Sequence, residues 1–477
     1  MEGISVMNET KSVENKDSLR ATLESLRDSY NQQPYPSYRD RIDLLNTLKA
    51  SLIRNEKQIY EALKKDYGYR SEFDSLISDV LPTVMGINYA IKNLRRWMKP
   101  SKRHSGLMLL PSNVKVHYQP LGVVGVITPW NFPFFLALGP AVQALAAGNR
   151  VMIKMSEFTP NANQALRAVL KDLSEHIVIC EGESEVGAAF SSLPFDHLVF
   201  TGSTAVARHV ASAAAKNLTP ITLELGGKSP TIIDDTIDMA IAVDAIIVGK
   251  SVNSGQICVA PDYVFVPENR KEAFIKTFIQ RYSEYHLNSN NQNTQTHIVS
   301  KRQYDRLLGF LDDAKQKGAN IHSVKPIEND QGRRVYPHLV TEVSQEMKVL
   351  QEEIFGSILP VMTYRNIEEV IEYINERPRP LALYIMSSQD LFIENILKNT
   401  HSGGVSINDS AMHVMADDAP FGGIGHSGMG QYHGHEGFQT FSKARTVLRS
   451  SSWLPKNRII LKHRDFVFRA LRTLMLR

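Results

Sequence analysis

The sequence predicts an α/β protein of two units, each an open and mostly parallel sheet covered by helices. Three observations carry this. From Val123 onward short apolar runs alternate with helical segments, and the runs are continuously apolar, as strands buried on both faces must be. A second block of the same kind runs from about Thr231 to Asn408. The chain has 477 residues, which at roughly 150 residues per domain suggests about three domains. Two α/β units of similar size fit the pattern better than three.

The elements follow in order. Leu19, Leu23, Leu26 and Tyr30 recur at helical spacing, and after the Pro34–Pro36 break so do Leu45, Leu48, Leu52, Ile59 and Leu63, so the first hundred residues read as helices. Ser112 to Gln119 alternates as a strand, with a partner elsewhere. The first α/β block offers strands at 123–128, 151–154, 177–180 and 198–200, and helices near 135–147, 161–173 and 204–215. The second offers strands at 231–233, 263–266, 359–364 and 381–386, and an Asn/Gln-rich loop at 288–296. No internal repeat is evident.

Composition narrows the class. Hydrophobic residues make 43% and charged residues 22% of the chain, which excludes disorder over most of the length, collagen repeats and a coiled coil. A net charge of +4 is too weak to imply a nucleic-acid partner. The only cysteines are Cys180 and Cys258. That excludes a disulfide scaffold, a multi-cysteine zinc site and an iron–sulfur cluster, and suits a reducing compartment. The first eighteen residues hold no apolar run, so no secretory signal is expected. Leu121 to Gly148 is apolar enough to suggest a membrane span, but Pro129, Asn131, Pro133 and Pro140 interrupt it. It reads as a strand, a turn and a core helix, and the expectation is a soluble cytoplasmic protein.

Four places carry candidate chemistry. Cys258, in NSGQICVAPDYV, follows Gly255–Gln256 and precedes Pro261. A buried thiol is ordinarily inert, whereas a turn that presents it makes a nucleophile. Cys180 ends an apolar run and reads as core. Glu224, in TLELGGKSP, ends a strand before Gly226–Gly227, which sets it facing a cleft or leaves it as a solvated surface glutamate. Gly202–Ala207 (GSTAVA) follows a strand and opens a helix. That layout binds phosphate through helix N–H groups, or is an ordinary Ser/Thr cap. Asn131, in TPWNFP, sits in a rigid turn, where its amide serves the turn or donates to a developing oxyanion.

Together and in this order, these segments resemble the aldehyde dehydrogenase superfamily. The resemblance runs from about Leu19 to Arg445 and is carried by TPWNFP, VMIKMSEFTP, FTGSTAVA, LELGGKSP, SGQICVAPDY, EEIFG and PFGGIGHSGMG. GQICVAPDY, RPRPLALY and GMGQYHGHEGF look most like the branch of class 3 and coniferyl aldehyde dehydrogenases. The resemblance implies an aldehyde dehydrogenase-like fold with one Rossmann-like sheet and a β-strand oligomerisation arm. It implies Cys258 as nucleophile, Asn131 with the Cys258 N–H as oxyanion donors, and Glu224 as general base. For the cofactor it implies Lys154 and Glu157 at the adenosine ribose, Gly202 and Ser203 at the pyrophosphate, Glu353 and Phe355 at the nicotinamide ribose and ring, and Trp130 and Gly226 nearby. A glutamate at the ribose diol favours NAD, with NADP possible.

The domains expected are a flexible N-terminus at 1–18, an NAD(P)-binding domain at 19–104 and 120–225, and a catalytic domain at 226–417. A bridging arm at 105–119 and 437–450 and a basic tail at 451–477 complete the chain. The second strand of the arm is expected near 438–447. The partners implied are a small-molecule aldehyde and a second copy in a homodimer. Three positions depart from the family pattern: Ala207 for glycine, and Met155 and Ser357 for proline. His413, His426, His433 and His435 crowd the C-terminal part, but without an HExxH pattern no metal is expected. His413 and Met415 are expected near the substrate mouth.

In the tail, Arg458, Lys462, Arg469 and Arg472 form one helical stripe and Ile460, Val467, Leu471 and Leu474 another. A basic amphipathic helix over 456–477 suits a membrane surface, or docks on the protein or a partner subunit. The reading is oxidation of a hydrophobic or aromatic aldehyde, coniferyl aldehyde-like, to its acid. The rivals are a medium- or long-chain aliphatic aldehyde dehydrogenase, a non-redox thiol esterase on Cys258 and Glu224, and a non-catalytic scaffold.

Overall fold

The structure is a computed structural model that describes residues 14–106, 109–287, 295–325, 332–450 and 452–476. The first thirteen residues of the predicted flexible N-terminus and 288–294 of the Asn/Gln-rich loop lie outside the described residues. Helix Lys16–Gln32 begins within the 1–18 segment, capped by the Asn15 side chain on the N–H groups of Asp17 and Ser18.

Two sheets dominate. The six-stranded sheet has the order Gly428–Met429, Ile221–Glu224, His197–Thr201, Val123–Ile127, Arg150–Lys154, Ile177–Cys180. All of its pairs are parallel except the first. Strand Val123–Ile127 is central. The chain moves from it to one side through Arg150–Lys154 and Ile177–Cys180, then crosses to His197–Thr201 on the other. That reversal is a switch point of the Rossmann type, where ligands bind outside the strands' carboxyl ends. The seven-stranded sheet has the order Asn320–Ser323, His338–Thr341, Ile358–Tyr364, Pro261–Pro267, Ser229–Ile233, Ala382–Met386, Gly404–Ile407. Only its first pair is antiparallel.

Both sheets are covered on both faces, as continuous apolar strands require. Val124, Val126, Val151 and Ile153 enter one core, while Val123, Ile127, Met152 and Cys180 enter the core on the opposite face. Val264, Val266 and Tyr384 oppose Tyr263, Phe265 and Leu383 in the same way across the second sheet. Cys180 is therefore a core residue, and burial raises its thiol pKa.

The third sheet pairs Asn113–Pro120 antiparallel with Ser101–Arg103 and with Ser442–Arg449. The expected strand near 438–447 begins later, because Gly434–Thr440 is a helix. Phe438 lies buried against Trp97 and Tyr118, and that burial outweighs the strand-like composition.

The tail also differs. It forms two helices, Lys456–Lys462 and Arg464–Met475, broken at His463, and neither has a buried residue. No proline or glycine marks the break. It separates Ile460 from the Val467, Leu471 and Leu474 stripe. Among the described residues no helix is long and apolar enough to cross a membrane.

Candidate active site

The strand registers gather the candidate residues. Ile127 pairs with Lys154 on one side and Phe200 on the other, and Thr201 pairs with Glu224. Lys154, Glu224, the turn after Ile127 and the Gly202–Ser203 turn thus share the carboxyl edge of the six-stranded sheet. In the other sheet Ser229 pairs with Pro261. Gly226, Cys258 and Glu353 immediately precede the strands Ser229–Ile233, Pro261–Pro267 and Ile358–Tyr364, so they share that sheet's amino edge. The site lies where the two edges meet.

On the first edge, Ser203 caps helix Thr204–Ala215 and accepts the Val206 N–H at 3.4 Å. The helix's positive end therefore opens on the switch point. The Thr204 hydroxyl donates to the His426 carbonyl at 2.9 Å, tying this turn to the C-terminal glycine-rich segment. Ala207 points into the core and not toward the turn, so its methyl meets the sheet without narrowing the phosphate approach. Lys154 and Glu157 form an ion pair at 3.4 Å, with Lys154 buried and Glu157 partly exposed.

Trp130 and Phe355 meet edge to face with ring centroids 5.3 Å apart. A side chain at Gly226 would meet the Glu353 carboxylate at 2.3 Å, which explains the glycine. The hydroxyls of Thr128 and Thr201 and one oxygen of Glu353 are buried without a protein partner. Unsatisfied polar atoms, a helix N-terminus and two aromatic rings at a switch point fit a dinucleotide.

Cys258 is part-exposed into a cavity of about 850 Å³. The walls are mostly apolar, and Phe132, Phe135, Leu136, Ile257, Phe421 and Tyr432 are among them. The turn before the cysteine is unusual. Asn253 and Ser254 both have left-handed φ, 49° and 53°, and such non-glycine positions cost about 1–3 kcal/mol each. Packing and hydrogen bonds hold them. Asp74 accepts the Asn253 N–H at 3.1 Å, and the Ser357 hydroxyl donates to the Ser254 carbonyl at 3.0 Å. Gly255 (φ 71°) is needed because a Cβ would stand 2.6 Å from the Gly356 carbonyl oxygen. The serine replacing the family's proline at 357 thus joins this turn to the EEIFG segment, while Met155, the other such departure, is fully buried core.

Both oxygens of Glu224 are buried without a protein partner, and burial holds its carboxyl well above the usual range. Burial, then Asp262, push Glu353 up to about 8. Burial, then the charges of Glu353 and Glu224, push the Cys258 thiol up to about 12. Asn131 is buried, and its amide donates to the Gln256 carbonyl at 3.2 Å, two residues before the cysteine. One amide hydrogen remains for another acceptor.

The C-terminal histidines do not converge. His413 and His433 both pack against Phe421, and His435 stacks on Trp97. Among the described residues no metal-binding group of three or more side chains occurs. Met415 lines the cavity, whereas the His413 side chain turns to Ser406 and Phe421.

Several residues around the site escape a reading of the sequence. Arg306 donates to the carbonyls of Glu353 and Ile354 at 3.0 and 2.6 Å. Lys228 pairs with Asp262 and also donates to the carbonyls of Val349 and Glu352, while Asp262 accepts the Ile354 N–H. Lys228 and Asp262 lie inside LELGGKSP and APDY and were within reach as charges embedded in apolar motifs. Arg306 carries no such signal, since it sits on an ordinary helix face.

Comparison with known proteins gives the same picture. The aldehyde dehydrogenase family model matches residues 10–447. A Pseudomonas aeruginosa protein named "Probable coniferyl aldehyde dehydrogenase" is 48% identical over 433 residues, covering 90% of each chain. The substrate-bound Staphylococcus aureus AldH structure superposes with a TM-score of 0.87 at 34% identity, covering 94% of this chain and 99% of that one. A Mycobacterium tuberculosis aldehyde dehydrogenase complexed with NAD+ superposes with a TM-score of 0.83 at 25% identity, over 93% and 92% of the two chains. With both edges of the site assembled and nearly the whole length matched, the chain belongs to the aldehyde dehydrogenase family and is an aldehyde dehydrogenase.

Proposed function

We propose that this enzyme oxidises a hydrophobic, coniferyl aldehyde-like substrate to its carboxylic acid through a thiohemiacetal and a thioester on Cys258. One observation carries the reading: Glu224, with both carboxyl oxygens buried and without a protein partner, stands close enough to the part-exposed Cys258 for its charge to raise the thiol. The Cys258 sulfur gives up its proton to water in the site, and the thiolate attacks the aldehyde carbon. The oxyanion is held by the free amide hydrogen of Asn131 and the Cys258 N–H, a donor of this kind contributing about 2.7–4 kcal/mol. When bound, the dinucleotide supplies the hydride acceptor. Glu224 then takes a proton from the water that cleaves the thioester, and a raised pKa suits a base that must also return its proton.

Glu157 beside Lys154 supports NAD over NADP. The unpaired outer edge of strand Ser442–Arg449, exposed from Lys443 onward, supports the bridging arm and a homodimer. The two main sheets support a dinucleotide-binding part at 19–104 and 120–225 and a catalytic part at 226–417, and a chain with two cysteines suits the reducing cytoplasm.

The cavity favours a second substrate reading. A space of about 850 Å³ is near the upper end for small-molecule pockets, about 300–1,000 Å³, and a phenylpropenal fills a small part of it. A medium- or long-chain aldehyde uses more of the wall. The test is steady-state kcat/KM for coniferyl aldehyde, simple aromatic aldehydes and an aliphatic series, with NAD and with NADP. Coniferyl aldehyde leading the panel supports the first reading, and a steady rise with chain length supports the second. NADH formation that survives Cys258→Ala overturns both. Ester hydrolysis without NADH formation points to the esterase.

The tail reading stands on its own observation. Leu461, Phe466, Phe468 and Leu474 are bared to solvent beside Arg458, Arg469 and Arg472, which supports docking on an anionic lipid surface. Co-sedimentation with phosphatidylserine vesicles should require residues 456–477, and equal pelleting of the shortened chain rejects it.

A further inference from the structure

The turn that carries Asn131 is held by buried residues with no part in the chemistry so far. Arg70 and Asp79 form an ion pair at 2.7 Å with both side chains fully buried. Arg70 uses a second nitrogen to donate to the Asn131 carbonyl at 2.9 Å. Its guanidinium lies 5.0 Å from the Tyr67 ring centroid and 5.5 Å from that of Phe132. The Tyr67 hydroxyl donates to the carbonyls of Trp130 and Asn131, at 3.0 and 3.1 Å. On the far side of the turn one Asp79 oxygen accepts the N–H groups of Phe134 and Phe135, at 2.9 and 3.2 Å, where helix Phe135–Ala147 begins. The Asn253 amide, from the cysteine turn itself, donates to the same Asn131 carbonyl at 3.2 Å.

A buried ion pair is a weak source of stability. Apolar residues of similar volume often do as well or better. What this pair does instead is fix both ends of a five-residue turn, at the Asn131 carbonyl and at the start of the next helix. It does so with donors whose geometry is rigid, since a guanidinium presents its N–H groups in a fixed plane. Fixing the Asn131 carbonyl fixes the peptide from which its side chain projects toward Gln256 and the cysteine turn. A small misplacement of an oxyanion donor costs rate and not binding, because the donor acts where charge develops.

We propose that Tyr67, Arg70 and Asp79 are positioning residues that set the aim of the Asn131 amide. The proposal rests on the reading of Asn131 as an oxyanion donor. Two conservative variants test it without emptying the core. Tyr67→Phe deletes one hydroxyl. Arg70→Lys keeps a charge for Asp79 but loses the planar fork that bridges to Asn131. Each is made alone and in an Asn131→Ala background. The readout is the single-turnover rate of NADH formation per titrated Cys258 thiol, so that lost folded protein does not count. Dissociation constants for NAD and alkylation rates of Cys258 are measured beside it.

Tyr67→Phe is expected to lower the rate about threefold to tenfold, as one net hydrogen bond allows. Arg70→Lys should lower it at least as much, with cofactor binding and thiol alkylation unchanged. In the Asn131→Ala background neither variant lowers the rate further, because residues acting through one group are not additive. Equal losses in both backgrounds, or rates within about twofold of the parent while Asn131→Ala is slow, overturn the positioning role alone. If Asn131→Ala itself keeps the full rate, the oxyanion reading falls and the proposal falls with it.

Discussion

The two sides of the active site are built in different ways. The proposed cofactor side is made of short contiguous motifs, each at the end of a strand: TPWNFP after Val123–Ile127, IKMSE from Arg150–Lys154, GST after His197–Thr201 and LELGG at Ile221–Glu224. The proposed substrate side is a cavity whose walls come from separated segments around 71–82, 132–136, 244–259, 282–286, 411–421, with Gln295 and Tyr432. Polar recognition and reaction need particular atoms at particular spacings, and a parallel sheet supplies them by ending strands in register. An apolar wall needs only shape and hydrophobicity, which any packed segment can supply. The first side is therefore legible as words in the sequence, and the second only in three dimensions.

The two sides should respond differently to mutation. The largest effect is expected at the chemistry. Glu224→Gln removes the proposed base for thioester hydrolysis and should lower kcat by about a hundredfold or more, while the first turnover still produces NADH. Loss of that first turnover as well would place Glu224 in the acylation step. A smaller and selective effect is expected in the cavity. Val252→Trp narrows it and should reduce kcat/KM about tenfold for long aldehydes with short ones spared, since filled volume excludes by size. An equal loss for both lengths would mean that the variant disturbs the cysteine turn instead.

Electrostatics gives a third and gentler contrast. Glu353 is held up to about 8 and its charge in turn raises the Cys258 thiol. Glu353→Gln removes a negative neighbour, which favours the thiolate, so the rise of Cys258 alkylation with pH should move to lower pH. The parent should diverge from the variant mainly above about pH 8, where Glu353 carries its charge. Iodoacetamide kinetics of the cofactor-free enzyme measure this, and an upward or absent shift contradicts it. The smallest effect is expected at the other thiol. Cys180→Ala trims a core side chain and should cost about 1 kcal/mol of stability with kcat unchanged, measured by denaturant unfolding beside steady-state assays.

Much of the fold was legible because strands buried on both faces are continuous apolar runs. The strand at Ile177–Cys180 and the helices at Phe135–Ala147 and Thr204–Ala215 were read at their observed bounds. Strands His338–Thr341 and Gly404–Ile407 were not, because polar and glycine positions (HLVT, GVSI) break the continuous apolar run that marks Ile177–Cys180 (IVIC). Helix Gly434–Thr440 was missed because Phe438 is placed by partners far away in sequence, Trp97 and Tyr118. The same reason hid Arg70, Asp79 and Arg306. Each acts on backbone carbonyl or N–H groups, which leave no pattern in the side-chain sequence. The tail showed the reverse error, where a periodicity read as one helix crosses a break at His463.

The central claim is that Cys258 carries the substrate as a thioester. Its most direct test is intact-mass and peptide analysis of the Glu224→Gln enzyme after mixing with aldehyde and NAD. The prediction is one NADH per subunit and one adduct on the peptide holding Cys258, heavier by the aldehyde less a hydride and a proton. Continued NADH formation with Cys258 unmodified, or an adduct on another residue, would contradict it.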